Sequence, residues 1–346
     1  MKEKEKSTKK SVPVFFAADE NYMPFLAVTL ASVKAKMCKD YLYEIYVLYT
    51  GKLCENAKKI KELEEESLHI SFVDVSQKTD EITHLMHCRD YYTSAIYYRL
   101  FIPELFPQYD KAVYLDCDTV LLEDVALLYE TDVKDNLIGA VADQVVAAIG
   151  PFREYTQNAL GISSEKYFNS GVIVMNLKAM REMCFYRAFS QILSSYDFII
   201  APDQDCLNLI CKDKVCYLDE GWNAMPLGVR MGAERLKLVH YNLSLKPWHY
   251  DNVIYQEYFW SYAKKSSFYE SILAKRAAFT REMAEQDAAS GERLIALAQA
   301  EADSPCNYLK SRVQARAVDG QETKNEGGRY GFVESFARTA SGLKTD

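Results

Sequence analysis

The chain is poor in glycine, with 14 in 346 residues, and its first strand-like run, Val12 to Ala18, continues into DENYMP rather than GxGxxG. That excludes the glycine cradle on which dinucleotide pyrophosphates usually rest. A nucleotide bound there would be held by polar groups such as those of Asp19 and Asn21. No stretch reaches the roughly 18 apolar residues that a membrane span requires. The opening MKEKEKSTKK has no apolar region behind its charges, so a secretory signal is not expected. Nine cysteines, none in a CxxC pair, then read as reduced thiols in a cytoplasm. Cys206, Cys211 and Cys216 recur every five residues, yet lack a neighbouring fourth ligand and read as buried apolar side chains, not zinc ligands. Basic charge is not in excess: 41 Lys and Arg face 49 Asp and Glu, a net charge of -8. A broad nucleic-acid-binding face is thereby excluded, while a local basic pocket for phosphate is not.

What is present is globular material, 49% hydrophobic and 26% charged, with 25 tyrosines compatible with stacking on sugars. Apolar runs at 12–18, 43–50 and 70–75 alternate with helical patterns at 24–36 and 55–66. Strand-helix-strand-helix-strand is the order of a Rossmann-like α/β sheet. Further strands are expected at 112–115, 119–122, 137–142, 167–176, 214–220 and 236–241, with helices at 93–106, 179–196, 255–278 and 281–302. Residues 1–11 read as a disordered leader and 303–346 as a loose polar tail. With seven basic and seven acidic residues in 301–346, the pattern of a membrane-surface anchor is weak.

The chain is organised around Lys111–Asp124, KAVYLDCDTVLLED. An apolar run stops at Asp116-Cys117-Asp118 and a second run follows. Two carboxylates one residue apart at the end of a buried strand are costly unless neutralised, and a divalent cation with hard oxygen ligands does so. The carboxyl ends of strands in an open α/β sheet are where ligands bind. Asp19, Asn21, Asn169 and His240 are also read as following apolar runs, another run stops at Asp143, and Arg99 sits 17 residues before Asp116. Asp203 and Asp205 have a plain role in the first turn of a helix, where the macrodipole favours acids. Gln204 between them has none.

The segments FAADENY (16–22), SAIYYRL (94–100), YLDCDTV (114–120), YFNSGVIVMNL (167–177), DQDCLN (203–208) and HYNLSLKPW (240–248) together resemble family 8 glycosyltransferases, most of all the bacterial lipopolysaccharide galactosyl- and glucosyltransferases. The resemblance implies a GT-A domain over 12–250, a Rossmann-like mixed sheet with flanking helices, followed by a helical C-terminal extension over 251–302. It also implies transfer of glucose or galactose from a UDP-sugar, with retained configuration, to a glycan, glycolipid or glycoprotein hydroxyl. Asp116, Asp118 and His240 would be metal ligands, for manganese or alternatively magnesium. Ala17, Asp19, Asn21 and Tyr22 would line uracil and ribose, with Cys117 beside them. Arg99 and Lys246 would face sugar and diphosphate. Asp143, Asn169, Asp203 and Gln204 would surround the donor sugar and its reacting carbon.

One position departs: where the family often has glycine three residues after the histidine, this chain has Leu243. Two other readings stay open. Asp116-Cys117-Asp118-Thr119-Val120 also fits the motif of haloacid-dehalogenase-like phosphatases, although that family carries it on the first strand. A UDP-sugar-binding protein without turnover would keep the pocket alone. The expected location is cytoplasmic, with a weak peripheral contact at the inner membrane face through the C-terminal region as an alternative.

Overall fold

β-Branched and aromatic residues without polar interruption make strands that bury both faces. Nine strands occur among the described residues of the computed structural model, which are 9–53, 55–86 and 93–313. They are β1 (Lys10–Ala17), β2 (Tyr41–Tyr49), β3 (Leu68–Asp74), β4 (Ala112–Leu115), β5 (Thr119–Leu121), β6 (Ile138–Ala142), β7 (Phe168–Met175), β8 (Val215–Tyr217) and β9 (Leu238–His240). Of these, β4, β5 and β7 are buried throughout. Seven form one sheet in the order β3-β2-β1-β4-β7-β6-β8. β1 runs parallel to β2 and β4, whereas β7 runs antiparallel to β4 and β6. The result is the mixed sheet of a GT-A fold.

Period-two alternation splits the core between the two faces of this sheet. Val12, Val14 and Phe16 of β1 pack on one side with the first helix, Met23–Lys36, while Phe15 packs on the other. β7, buried along its whole length, does the same with Val172 and Val174 against Ile173 and Met175.

Two placements differ from a simple parallel sheet and decide the site. Asn169 does not follow its strand but begins it; because β7 is antiparallel to β4, its start lies beside the end of β4. Asp116 N–H accordingly donates to Gly171 O at 2.8 Å. His240 ends β9, which belongs to a separate two-stranded antiparallel sheet with β5 rather than to the main sheet. That ribbon sets His240 opposite Thr119, next to Asp118.

Several helices are shorter than periodicity predicts. The charged helix expected to Glu66 stops at Lys61, because Glu64 turns back to accept from Lys61 at 2.8 Å and from Ile70 N–H at 2.7 Å. Residues 179–196 divide into Leu177–Glu182 and Phe185–Ser195, broken at Cys184, whose φ is 56°. The segment 255–278 divides into Gln256–Ala263 and Tyr269–Ala278. Ser94–Phe101 is a 3₁₀ helix. β1 already includes Lys10 and Ser11 of the expected leader, the rest of which up to residue 8 lies outside the described residues.

The last long helix, Arg281–Asp303, returns to the sheet domain. Ala298 and Ala302 are buried, Gln299 Nε2 donates to Glu154 at 2.8 Å, and Tyr196 donates its hydroxyl to Glu301. Asn307 and Tyr308, at the head of the segment expected as a loose tail, are also buried. Residues 314–346 lie outside the described residues. Cys206 and Cys211 are buried free thiols.

Candidate active site

The end of β4, the start of β7 and the end of β9 bring Asp116, Asp118 and His240 together. One ligand-type atom from each lies within 4.8 Å of the other two, a grouping found nowhere else among the described residues. His240 Nε2 is 3.3 Å from Asp118 Oδ1 and 3.7 Å from Asp116 Oδ2. Asp118 Oδ1 is buried and has no hydrogen-bond partner among the described residues. An orphaned carboxylate oxygen facing an imidazole lone pair suits a divalent cation. Charge supports the same fit: Asp116, Asp118 and Asp203 outnumber Arg99 and Lys246 around this space.

Each acid has a cation behind it. Arg99 is 3% exposed; its Nη2 donates to Asp116 Oδ1 at 2.9 Å, its Nη1 to Ser170 O at 2.5 Å, and its Nε lies 3.3 Å from Asp203. Burial works against its charge, but Asp116, Tyr114 and Asp203 outweigh that and hold it above its ordinary pKa. Buried Lys246 donates to Asp118 Oδ2 and, at 2.6 Å, to Tyr241 O. Burial likewise opposes ionisation of Asp118, yet the Lys246 ammonium, the strongest opposing influence, keeps it below the usual carboxylate range. Asp203 is pushed up to about 6, chiefly by burial, against the pull of Arg99.

Two adjoining cavities meet at this centre. The first, about 180 Å³, is lined by Ala17, Asp19, Tyr22, Arg99, Asp116, Cys117, Asp118 and Lys246. The second, about 110 Å³, is lined by Asp143, Asn169, Ser170, Asp203 and Gln204. Ile96, Arg99, Asp116, Asn242, Leu243 and Leu294 border both. Of the site residues picked out by sequence, Asn21 stays apart, exposed and lining neither cavity, whereas His240 lines neither but joins the acid cluster. Cys117 is a buried thiol that donates to Ala17 O at 3.1 Å, and burial pushes its pKa up, so it is no thiolate. Leu243 holds φ at 54°, a conformation in which glycine is free of strain and leucine is not. Asp205 serves the frame instead: Tyr155 and Tyr167 donate to its two oxygens at 2.7 and 2.6 Å.

Several contributors carry no signal in the sequence. Asn223, at the end of the 3₁₀ turn Glu220–Asn223, accepts from His240 Nδ1 at 2.9 Å. Gly171 sits so close that a Cβ there would be 2.3 Å from His240 Cε1 and 2.5 Å from Asp116 Oδ2. Asp287, Ser290, Gly291 and Leu294 bring the last helix to the wall of the first cavity. Only the Asn-Ser-Gly at 169–171, polar and flexible residues opening a buried strand, carried a usable signal.

The family model for glycosyl transferase family 8 matches residues 13–252. The chain belongs to glycosyl transferase family 8. It is 28% identical over 213 residues to general stress protein A of Bacillus subtilis, covering 60% of this chain and 71% of the relative. It is 27% identical over 262 residues to the lipopolysaccharide 1,2-glucosyltransferase of Escherichia coli, covering 70% and 74%. The galactosyltransferase LgtC, solved with donor and acceptor sugar analogues, superposes with a TM-score of 0.63 at 27% identity, covering 74% of this chain and 96% of LgtC. The bifunctional glycosyltransferase WbbM gives a TM-score of 0.66 at 26% identity over 78% of this chain, which spans 52% of WbbM. This family 8 transferase carries its paired acids after the fourth strand in chain order, unlike the first-strand motif of the phosphatases. No described helix is long and apolar enough to cross a membrane.

Proposed function

We propose that the protein is a metal-dependent, retaining hexosyltransferase that moves glucose or galactose from a UDP-sugar to a hydroxyl of a glycan, glycolipid or glycoprotein. The observation that carries this reading is the convergence of Asp116, Asp118 and His240 around the unpartnered Asp118 Oδ1. Manganese held by these three, or magnesium in its place, would supply Lewis-acid stabilisation to a departing diphosphate. Ala17, Asp19, Tyr22 and Cys117 line the first cavity, which takes the nucleotide. Arg99 and Lys246, both fixed by carboxylates, present preorganised positive charge beside the leaving group. Asp143, Asn169 and Gln204 line the second cavity, which takes the sugar.

A same-face attack by the acceptor hydroxyl fits better than a covalent glycosyl-enzyme. Asp203 is the nearest candidate nucleophile, and its carboxylate lies 3.3 Å from Arg99 Nε and accepts from the Ser170 hydroxyl at 3.3 Å. An acid so occupied is a weak nucleophile. Contact with a membrane would be peripheral, in keeping with a cytoplasmic protein. A panel of UDP-sugars with manganese, reading UDP release, tests the proposal. Asp116→Ala should remove metal-dependent turnover, a loss of about 3 kcal/mol or more in the transition state, while the fold persists. Binding of UDP-sugar with no hydrolysis or transfer would favour the binding-protein reading.

A further inference from the structure

His240 can serve a cation only if its Nε2 carries a lone pair, and the ring's other nitrogen decides that. The surroundings of Nδ1 form a one-way chain of buried hydrogen bonds. Asp143 accepts at one oxygen from the backbone N–H groups of Val145 and Val146 at 2.9 and 3.0 Å. Its other oxygen accepts from Asn169 Nδ2 and Gln204 Nε2, each at 3.0 Å. The Asn169 amide is fixed in that orientation a second time, since its Oδ1 accepts from Gly171 N–H at 3.0 Å. The same Oδ1 accepts from Asn223 Nδ2 at 3.0 Å, which turns Asn223 Oδ1 toward the histidine, 2.9 Å from Nδ1. An amide oxygen only accepts, so Nδ1 must carry the proton. In the neutral ring, the form that can ligate a cation, Nε2 is then bare and points at Asp118 and Asp116. Asn223 and His240 are 0% and 1% exposed, so bulk solvent does not reach these bonds.

We propose that Asn223 is a positioning residue that fixes the tautomer and ring orientation of His240, and that it ties the sugar-side polar cluster of Asp143, Asn169 and Gln204 to the cation site. The proposal rests on the metal-dependent reading above. Its chemistry is that of a partner behind a ligating histidine, whose loss commonly weakens metal binding 10- to 100-fold, roughly.

Two measurements test it. In metal-free protein with ¹⁵N-labelled histidine, long-range ¹H–¹⁵N spectra should show His240 as the Nδ1–H tautomer; an Nε2–H tautomer overturns the proposal. Manganese titration followed by electron paramagnetic resonance should show Asn223→Leu weakened by about 10- to 100-fold. Asn223→Asp, which keeps an acceptor at the same place, should bind at least as tightly as the parent. A purely structural role would lower the melting temperature of both variants without separating their affinities, and that result also overturns it. Should Asn223→Leu fail to fold, the aspartate variant and the tautomer measurement still decide. A parent protein that binds no manganese would refute the metal reading itself, and the tautomer spectrum would still judge the relay.

Discussion

Gly171→Ala concentrates the reasoning about the site into one methyl group. Gly171 lies in extended backbone within β7, so alanine meets no dihedral penalty and gains about 0.4–1 kcal/mol from a less flexible unfolded chain. Space is the obstacle. The added Cβ would lie 2.3 Å from His240 Cε1, 2.5 Å from Asp116 Oδ2 and 3.0 Å from His240 Nε2. Ordinary contact begins near 3.4 Å, so the imidazole must retreat by about 1 Å. It has little freedom to do so, since β9 pairing holds its backbone and Asn223 holds its Nδ1. Overpacking of this kind costs about 1–3 kcal/mol, of which the backbone gain offsets about a third, and the remainder is small beside a domain's stability of about 5–15 kcal/mol, so the variant should fold. Metal–ligand distances tolerate only about ±0.2 Å, and a 1 Å displacement of one ligand exceeds that several times over. Manganese affinity should therefore fall by at least about 100-fold, roughly 3 kcal/mol, with circular dichroism unchanged. Binding within threefold of the parent would refute the geometry on which the site is built.

The frame and the cleft wall give further expectations. Asp205 is pushed up to about 7, first by burial, against the hydrogen bonds from Tyr167 and Tyr155. Its folded pKa thus exceeds the unfolded value, so its contribution is complete below about pH 4 and is lost as pH rises toward 7, on the order of 4 kcal/mol. Urea unfolding of the parent and Asp205→Asn at pH 4.5 and 7 should show the difference between them shrinking with pH; a constant difference defeats this. Gly291→Ala should stabilise the last helix by about 0.5–1 kcal/mol, because a Cβ there meets nothing within 4 Å. Gly291→Trp should instead raise KM for the UDP-sugar about tenfold at unchanged melting temperature, read by UDP release. An unaltered KM would remove this helix from the donor site.

Much of the frame was legible because burial on both faces writes itself as unbroken apolar runs, as in β1, β4 and β7. The paired acids were legible for the converse reason: charge at the end of such a run needs an explanation. Direction was not legible. Nothing in YFNSGVIVMNL says that β7 runs against β4, and that reversal is what lets Asn169, Ser170 and Gly171 open a strand and still face Asp116. Nor does LVH declare that β9 leaves the main sheet for a ribbon with β5. Asn223 was invisible, since one amide in a 3₁₀ turn has no periodicity and gains its meaning only from partners at 169 and 240. The helix breaks at Cys184 and after Ala263 escaped periodicity because an apolar stripe can continue across a turn.

The helix Arg281–Asp303 begins almost thirty residues beyond the point where family likeness stops, yet four of its side-chain positions border the first cavity. The stretch that carries the paired acids and the helix that walls the first cavity therefore lie on opposite sides of the end of the family match. Exchange of that one helix between relatives would be a direct way to redirect which molecules reach an unchanged reaction centre.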